Sequence, residues 1–79
     1  MVIVYAIWSE RNNSIYVGMS QDVERRLSEH NSGLTRSTKP YRPWKIIFTE
    51  VCENWEMGRE LEKYYKSGIG KEFLKKLVP

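Results

Sequence analysis

The sequence predicts a small α+β fold: a three-stranded, largely antiparallel sheet flanked by helices in the order β-β-α-β-α-α. Three observations predict it. Residues 2–8, VIVYAIW, and 44–51, WKIIFTEV, are β-branched and aromatic runs of strand length. Two helix-length stretches follow capping residues and end at glycine-containing stops. A short run at 15–18, IYVG, lies just beyond a polar cluster and reads as the return arm of a hairpin.

The elements can be justified in order. The continuous apolar run at 2–8 suits a strand covered on both faces. Ser9 to Ser14, SERNNS, is a turn cluster in which Asn12 and Asn13 tolerate unusual backbone angles. A helix is expected after 15–18, with Ser20 as N-cap, Asp22 in the first turn and Asn31-Ser32-Gly33 as its stop. Residues 34–43 are polar and basic with two prolines, a loop. After the third strand, Asn54 caps a helix running to about Ser67 and ended by Gly68 and Gly70. A last short helix, roughly 71–77, is expected to put Phe73, Leu74 and Leu77 on one side.

Seventy-nine residues make one domain, 1–79, with no repeat, linker or low-complexity tract. A chain of this length buries only about 60% or slightly more of its unfolded surface, so large aromatic side chains matter to its core. A single cysteine, Cys52, excludes an internal disulfide, and with one histidine excludes a Cys/His zinc site within the chain. A cytoplasmic address is the expectation. The apolar run at the start is too short to span a bilayer and lacks a signal peptide's basic leader, so no membrane partner is expected.

The net charge of +3 excludes little, but its distribution is informative. No acid falls between Glu29 and Glu50, while Arg36, Lys39, Arg42 and Lys45 do, interleaved with Tyr41, Trp44 and Phe48. Such a stretch suits phosphate contacts with stacking. It equally suits a solvated loop leading into a strand, and charge alone leaves both readings open.

Polar groups recur where core residues are expected. In the first helix Val23 and Leu27 share their stripe with Arg26 and His30. A buried guanidinium requires an anion, either a carboxylate or an external phosphate; the alternative is an arginine that snorkels and a satisfied boundary histidine. In the second long helix Gly58, Leu61, Glu62 and Tyr65 form the stripe, placing a carboxylate among core-facing positions. The alternative there is a surface Glu62–Lys66 pair. Glu60 points away from that stripe and reads as solvent-facing. If Trp8 pairs with Ile15 across the turn, Tyr5 lies opposite Gly18, and Tyr5 and Tyr16 become diagonal neighbours on one face. An arginine, a carboxylate, two phenols and a histidine together suit phosphodiester hydrolysis assisted by a hard cation.

These residues resemble the GIY-YIG endonuclease superfamily, especially short stand-alone members related to the UvrC N-terminal nuclease domain. The first motif is Ile3-Val4-Tyr5 and the second Tyr16-Val17-Gly18; DVERRLSEHNSG (22–33) resembles the family's arginine helix. The likeness continues through RPWKIIF (42–48) and LEKYYKSGIGKEFLKKL (61–77), nearly the whole chain. Ile3 and Val4 replace the glycine and isoleucine of the first motif, and Met19 stands where the UvrC type carries lysine.

The resemblance implies a DNA endonuclease dependent on a divalent cation, Mg²⁺ or Mn²⁺, with a role in DNA repair or recombination. It implies catalytic roles for Tyr5, Tyr16, Arg26, His30 and Glu62, with Glu62 as metal ligand and one tyrosine assisting water activation. Gly18, Arg36, Lys39, Arg42 and Lys45 are the expected substrate contacts. So small a domain has little surface for reading bases, so recognition is expected to rest on DNA shape, a second copy or a partner protein. The alternatives are a nucleic-acid-binding module with weak or no catalysis, and an interaction domain using exposed aromatics such as Tyr41 or Trp55.

Overall fold

The computed structural model describes residues 1–79. Strands β1 (Val2–Ser9) and β2 (Ile15–Ser20) precede helix α1 (Val23–Ser32), followed by β3 (Trp44–Cys52), α2 (Trp55–Lys66) and α3 (Gly68–Lys75). One 3-10 turn, Lys39–Tyr41, lies in the long loop. The order is the expected one, and the sheet is antiparallel throughout, with β1 between β2 and β3.

Its central position explains why β1 is apolar on both faces. Val2, Val4 and Ala6 pack with Val17, Cys52, Tyr65 and Leu74 on one side. Tyr5 and Ile7 pack with Val23 and Trp44 on the other. Helices α2 and α3 thus cover one face and α1 the opposite one. Trp8 pairs with Ile15 and Tyr5 with Gly18, the register the hairpin requires. The hairpin turn holds it: Asn13 adopts φ +62°, and its side-chain oxygen accepts from the Trp8 indole at 2.7 Å. A bulge in β3 opposite Ala6 and Ile7 leaves Ile47 unpaired.

Several boundaries differ from expectation for local reasons. β2 continues to Ser20, whose hydroxyl bonds to the Asp22 backbone, and the N-cap of α1 is Asp22 rather than Ser20. The Asp22 carboxylate accepts from Arg25 N at 3.1 Å, a cap contributing about 1 kcal/mol. At the other end only Gly33 is the stop, in the left-handed region at φ +87°. Asn31 lies within the helix and clamps the start of β3, accepting from Trp44 N at 2.7 Å and donating to Trp44 O at 3.1 Å.

Asn54 caps α2 as expected. The chain breaks at Ser67, which ends α2 and caps α3, so Gly68 and Gly70 open α3 instead of closing α2. Gly70 fits because a Cβ there would sit 2.1 Å from the Tyr64 carbonyl oxygen. Leu74 alone of the expected trio is fully buried; Phe73 and Leu77 are exposed, although the Phe73 ring still meets Phe48 edge-on.

Candidate active site

β1 and β2 bring the two phenols together. With Tyr5 opposite Gly18 and Ile7 opposite Tyr16, both rings lie on the face beneath α1, with centroids 6.4 Å apart. Their surroundings differ. Tyr5 is 1% exposed, whereas Tyr16 is half-buried. The Tyr5 hydroxyl fills the space over Gly18, where a Cβ would lie 2.7 Å from it. Gly18 therefore makes room for the phenol, a role its motif position did not reveal.

His30, fully buried on α1, lies at the centre of a directional network. Its Nε2 is 3.0 Å from the Tyr5 hydroxyl and its Nδ1 2.8 Å from Thr38 Oγ1. The Thr38 hydroxyl donates to the Thr35 carbonyl at 3.3 Å, so it accepts from Nδ1–H, and Nε2 accepts from Tyr5 O–H. This network selects the neutral Nδ1–H tautomer. Burial, and next the nearby Arg26 charge, hold the His30 pKa below its ordinary value, against a weaker opposing pull from Glu29. The Tyr5 pKa is pushed up to about 12, by burial first and then by Tyr16, with Arg26 pulling the other way and Glu62 adding to the rise.

Arg26 has the anion its half-buried position requires. Its Nη1 donates to Glu29 Oε1 at 2.8 Å and to Thr35 Oγ1 at 3.4 Å. Glu29 also pairs with Arg25 at 3.4 Å. The Glu29 hydrogen bond raises the Arg26 pKa, and Arg26 in turn lowers that of Glu29. A groove of ≈ 450 Å³ opens beside these residues, lined among others by Met19, Ser20, Arg25, Arg26 and Trp55.

Glu62 arrives from the opposite face of the sheet. α2 approaches closely through Gly58, where a Cβ would lie 2.9 Å from Val2 Cγ1 and 3.0 Å from Met19 Sδ. One turn later Glu62 is half-buried, near enough to the Tyr5 phenol for its charge to add to the rise in that pKa. It also makes the i, i+4 pair with Lys66, at 3.3 Å. Glu62 is thus half-buried and ion-paired at once. Glu60 is exposed, as expected.

Tyr5, Tyr16, Arg26 and His30 thus meet beneath α1, and Glu62 lies within electrostatic reach of Tyr5. The cations of the basic stretch have different settings. Lys45 is ion-paired with Glu10, and Arg42 folds back so that its Nε donates to the Lys39 carbonyl at 2.9 Å. Arg36 and Lys39 are exposed. Thr38, Thr35 and Glu29 escaped sequence reasoning. The two threonines lie in a polar loop with no periodicity to mark them, whereas Glu29 stood at the i+3 position from Arg26 and was readable.

No three His, Cys, Asp or Glu side chains cluster anywhere in the chain, so a closed protein cage for a metal is absent. One half-buried carboxylate fits Mg²⁺ or Mn²⁺ of the kind that keeps its waters and shares substrate phosphate oxygens. It does not fit a structural zinc site.

A three-stranded antiparallel sheet with paired tyrosines beneath the helix that carries Arg26, and Glu62 on a helix of the other face, fits a small nuclease-family domain. The GIY-YIG catalytic domain matches residues 1–75, and the chain belongs to that family. It is 39% identical over 56 residues to a UPF0213 protein of Listeria welshimeri, covering 70% of this chain and 62% of that one. To the UPF0213 protein YazA of Bacillus subtilis it is 33% identical over 57 residues, 71% of this chain and 58% of YazA. The matched part therefore spans about three fifths of these relatives' lengths. The solution NMR structure of a UPF0213 protein from Bacillus halodurans is similar over 98% of this chain and 85% of that one, with 30% identity and a TM-score of 0.57. No helix is long and apolar enough to cross a membrane.

Proposed function

We propose that the chain acts as one domain, a metal-dependent endonuclease that hydrolyses phosphodiester bonds of DNA at the site of Tyr5, Tyr16, Arg26, His30 and Glu62. The observation that carries this reading is the convergence of a half-buried arginine and a half-buried glutamate on a tyrosine–histidine network beside an open groove. Structural packing does not require that combination. A cytoplasmic enzyme of DNA repair or recombination fits it.

Glu62 would hold the cation, which when bound would polarise the scissile phosphate and stabilise the leaving oxygen. Arg26 exchanges Glu29 for a phosphate and neutralises the charge that develops on its free oxygens. Tyr16, the phenol with access to solvent, orients the attacking water by accepting a hydrogen bond from it. Tyr5 stays protonated: its O–H is committed to His30, and it lies close enough to Arg26 to steady the guanidinium.

A second reading, a nucleic-acid-binding module with weak or no catalysis, draws on one observation. Arg26 and Glu62 are each ion-paired within the chain, to Glu29 and Lys66. The deciding experiment incubates the protein with labelled nicked, branched, single-stranded and duplex DNA in Mg²⁺, Mn²⁺ or EDTA, with Glu62→Gln and Arg26→Ala alongside. Metal-dependent cutting by the wild type and not by either variant is expected. DNA binding without cutting by any of the three selects the second reading.

A further inference from the structure

Beyond the catalytic residues, the structure carries a basic channel along β2 and α3. One groove of ≈ 350 Å³ is lined by Ile15, Tyr16, Val17, Lys66 and Lys71. A second, of ≈ 360 Å³, continues past Asn13 and Ser14 to Lys75 and shares Ile15 and Lys71 with the first. Together they form one open path that starts at the solvent-facing phenol. Three lysines and no acid line it.

The charge there is available to a ligand. Lys71 has no carboxylate partner, and Lys75 makes only an exposed pair with Glu72 at 3.3 Å, which stabilises little. Lys66 is held by Glu62, and a cation at Glu62 releases it. Residues 63–76 contain five lysines against one glutamate. Lys71 and Lys75 are one turn apart, so they share a face of α3. The close contact at Gly70 fixes α3 on the end of α2 and with it the direction of that face.

We propose that this channel carries the DNA strand on one side of the scissile phosphate, with Lys71 and Lys75 contacting successive phosphates and Lys66 joining them once Glu62 holds its cation. The proposal rests on the nuclease reading of the neighbouring site, and its test separates the two.

Binding of a labelled DNA substrate in EDTA is measured against salt for the wild type, Lys71→Ala/Lys75→Ala and Lys71→Arg/Lys75→Arg. Two lost phosphate contacts flatten the salt dependence, so between ~50 and ~200 mM salt the wild type should lose about tenfold more affinity than the alanine variant. The arginine variant should restore the wild-type slope. Hydroxyl-radical footprinting should show the alanine variant losing protection on one side of the cut only. Wild-type slope and footprint in the alanine variant, while the wild type cuts DNA, overturn the channel and leave the nuclease standing. A flattened slope with no cutting by the wild type overturns the nuclease and leaves the channel. A wild type that neither binds nor cuts overturns both.

Discussion

The Tyr5 hydroxyl and His30 Nε2 meet at 3.0 Å across 25 positions of sequence, with both side chains withdrawn from water. This contact joins the middle of β1 to the last turn of α1, and Thr38 extends it into the loop that follows. The helix carrying Arg26 is therefore docked by a polar network as well as by Val23 and Leu27.

Removing the two phenol oxygens should have separable effects. Tyr5→Phe leaves a buried imidazole nitrogen without its donor, which costs about 1–3 kcal/mol. Thermal unfolding should show a Tm lower by at least several degrees, since ~1 kcal/mol moves a domain of this size by about 4–8 °C. Tyr16→Phe should keep the wild-type Tm and lose most cleavage. A Tyr16→Phe variant cutting at wild-type rate transfers the water-orienting role elsewhere.

Two glycine-to-alanine changes should have opposite signs. At Gly18 the added methyl would meet Tyr5 Oη at 2.7 Å and Cζ at 2.8 Å, part of a packed ring with nowhere to move. Gly18→Ala should destabilise by about 1–3 kcal/mol. At Gly68 nothing lies within 4 Å of the new Cβ, and the position is helical. Gly68→Ala should be neutral or stabilise by up to about 1 kcal/mol. Chemical denaturation of the two variants checks the pair.

Stability should fall on mild acidification because of His30. Its folded-state pKa lies below the ordinary value of 6.5, so as the pH drops below 6.5 the unfolded chain takes up the proton first. The stabilising contribution is complete above 6.5 and is lost as the pH falls toward the folded-state value. Tyr5 has the reverse window: its pKa is raised from 10.0 to about 12, so its contribution is lost as the pH rises across that interval. Denaturation midpoints measured from pH 7 to 5 should fall for the wild type and stay flatter for His30→Gln.

Neutralising the carboxylate that occupies Arg26 should favour the substrate. In Glu29→Gln the guanidinium no longer exchanges a full anion for a phosphate, and a negative charge leaves the groove wall. DNA affinity should rise a few-fold at low salt, with the gain shrinking as salt increases. Unchanged affinity would show that Arg26 does not reach the phosphate.

The fold was largely legible because its signals are local. The β1 run, the hairpin register, Asn54 and Gly33 each announce an element through their own chemistry. What misled were residues with two valid uses: Ser20 can cap a helix or brace a loop, and Gly70 can end a helix or let two helices touch. The polar stripe of α1 was readable, and it directed attention to Arg26 and His30. Thr38 was not, because its role arises when a loop folds across the sheet and presents an oxygen to a ring buried eight positions earlier. The last helix was read through Phe73, Leu74 and Leu77 alone; the alignment of its lysines with Tyr16 appears only once β2 and α3 lie side by side.

The alternation of β1 between its two covered faces makes the strand a built-in separator of phenotypes. Val2, Val4 and Ala6 point into the packing beneath α2 and α3, while Ile3, Tyr5 and Ile7 point toward the histidine and arginine of α1. In a saturation screen that scores expression level and cutting independently, damage along this strand should change character at every step. Positions 2, 4 and 6 should yield insoluble or degraded protein. Conservative changes at 3, 5 and 7 should lower expression too, but lose more cutting than expression, because they also disturb the seating of α1 and its Arg26. A period of two in the ratio of the scores would be the imprint of one pleated strand serving two interiors.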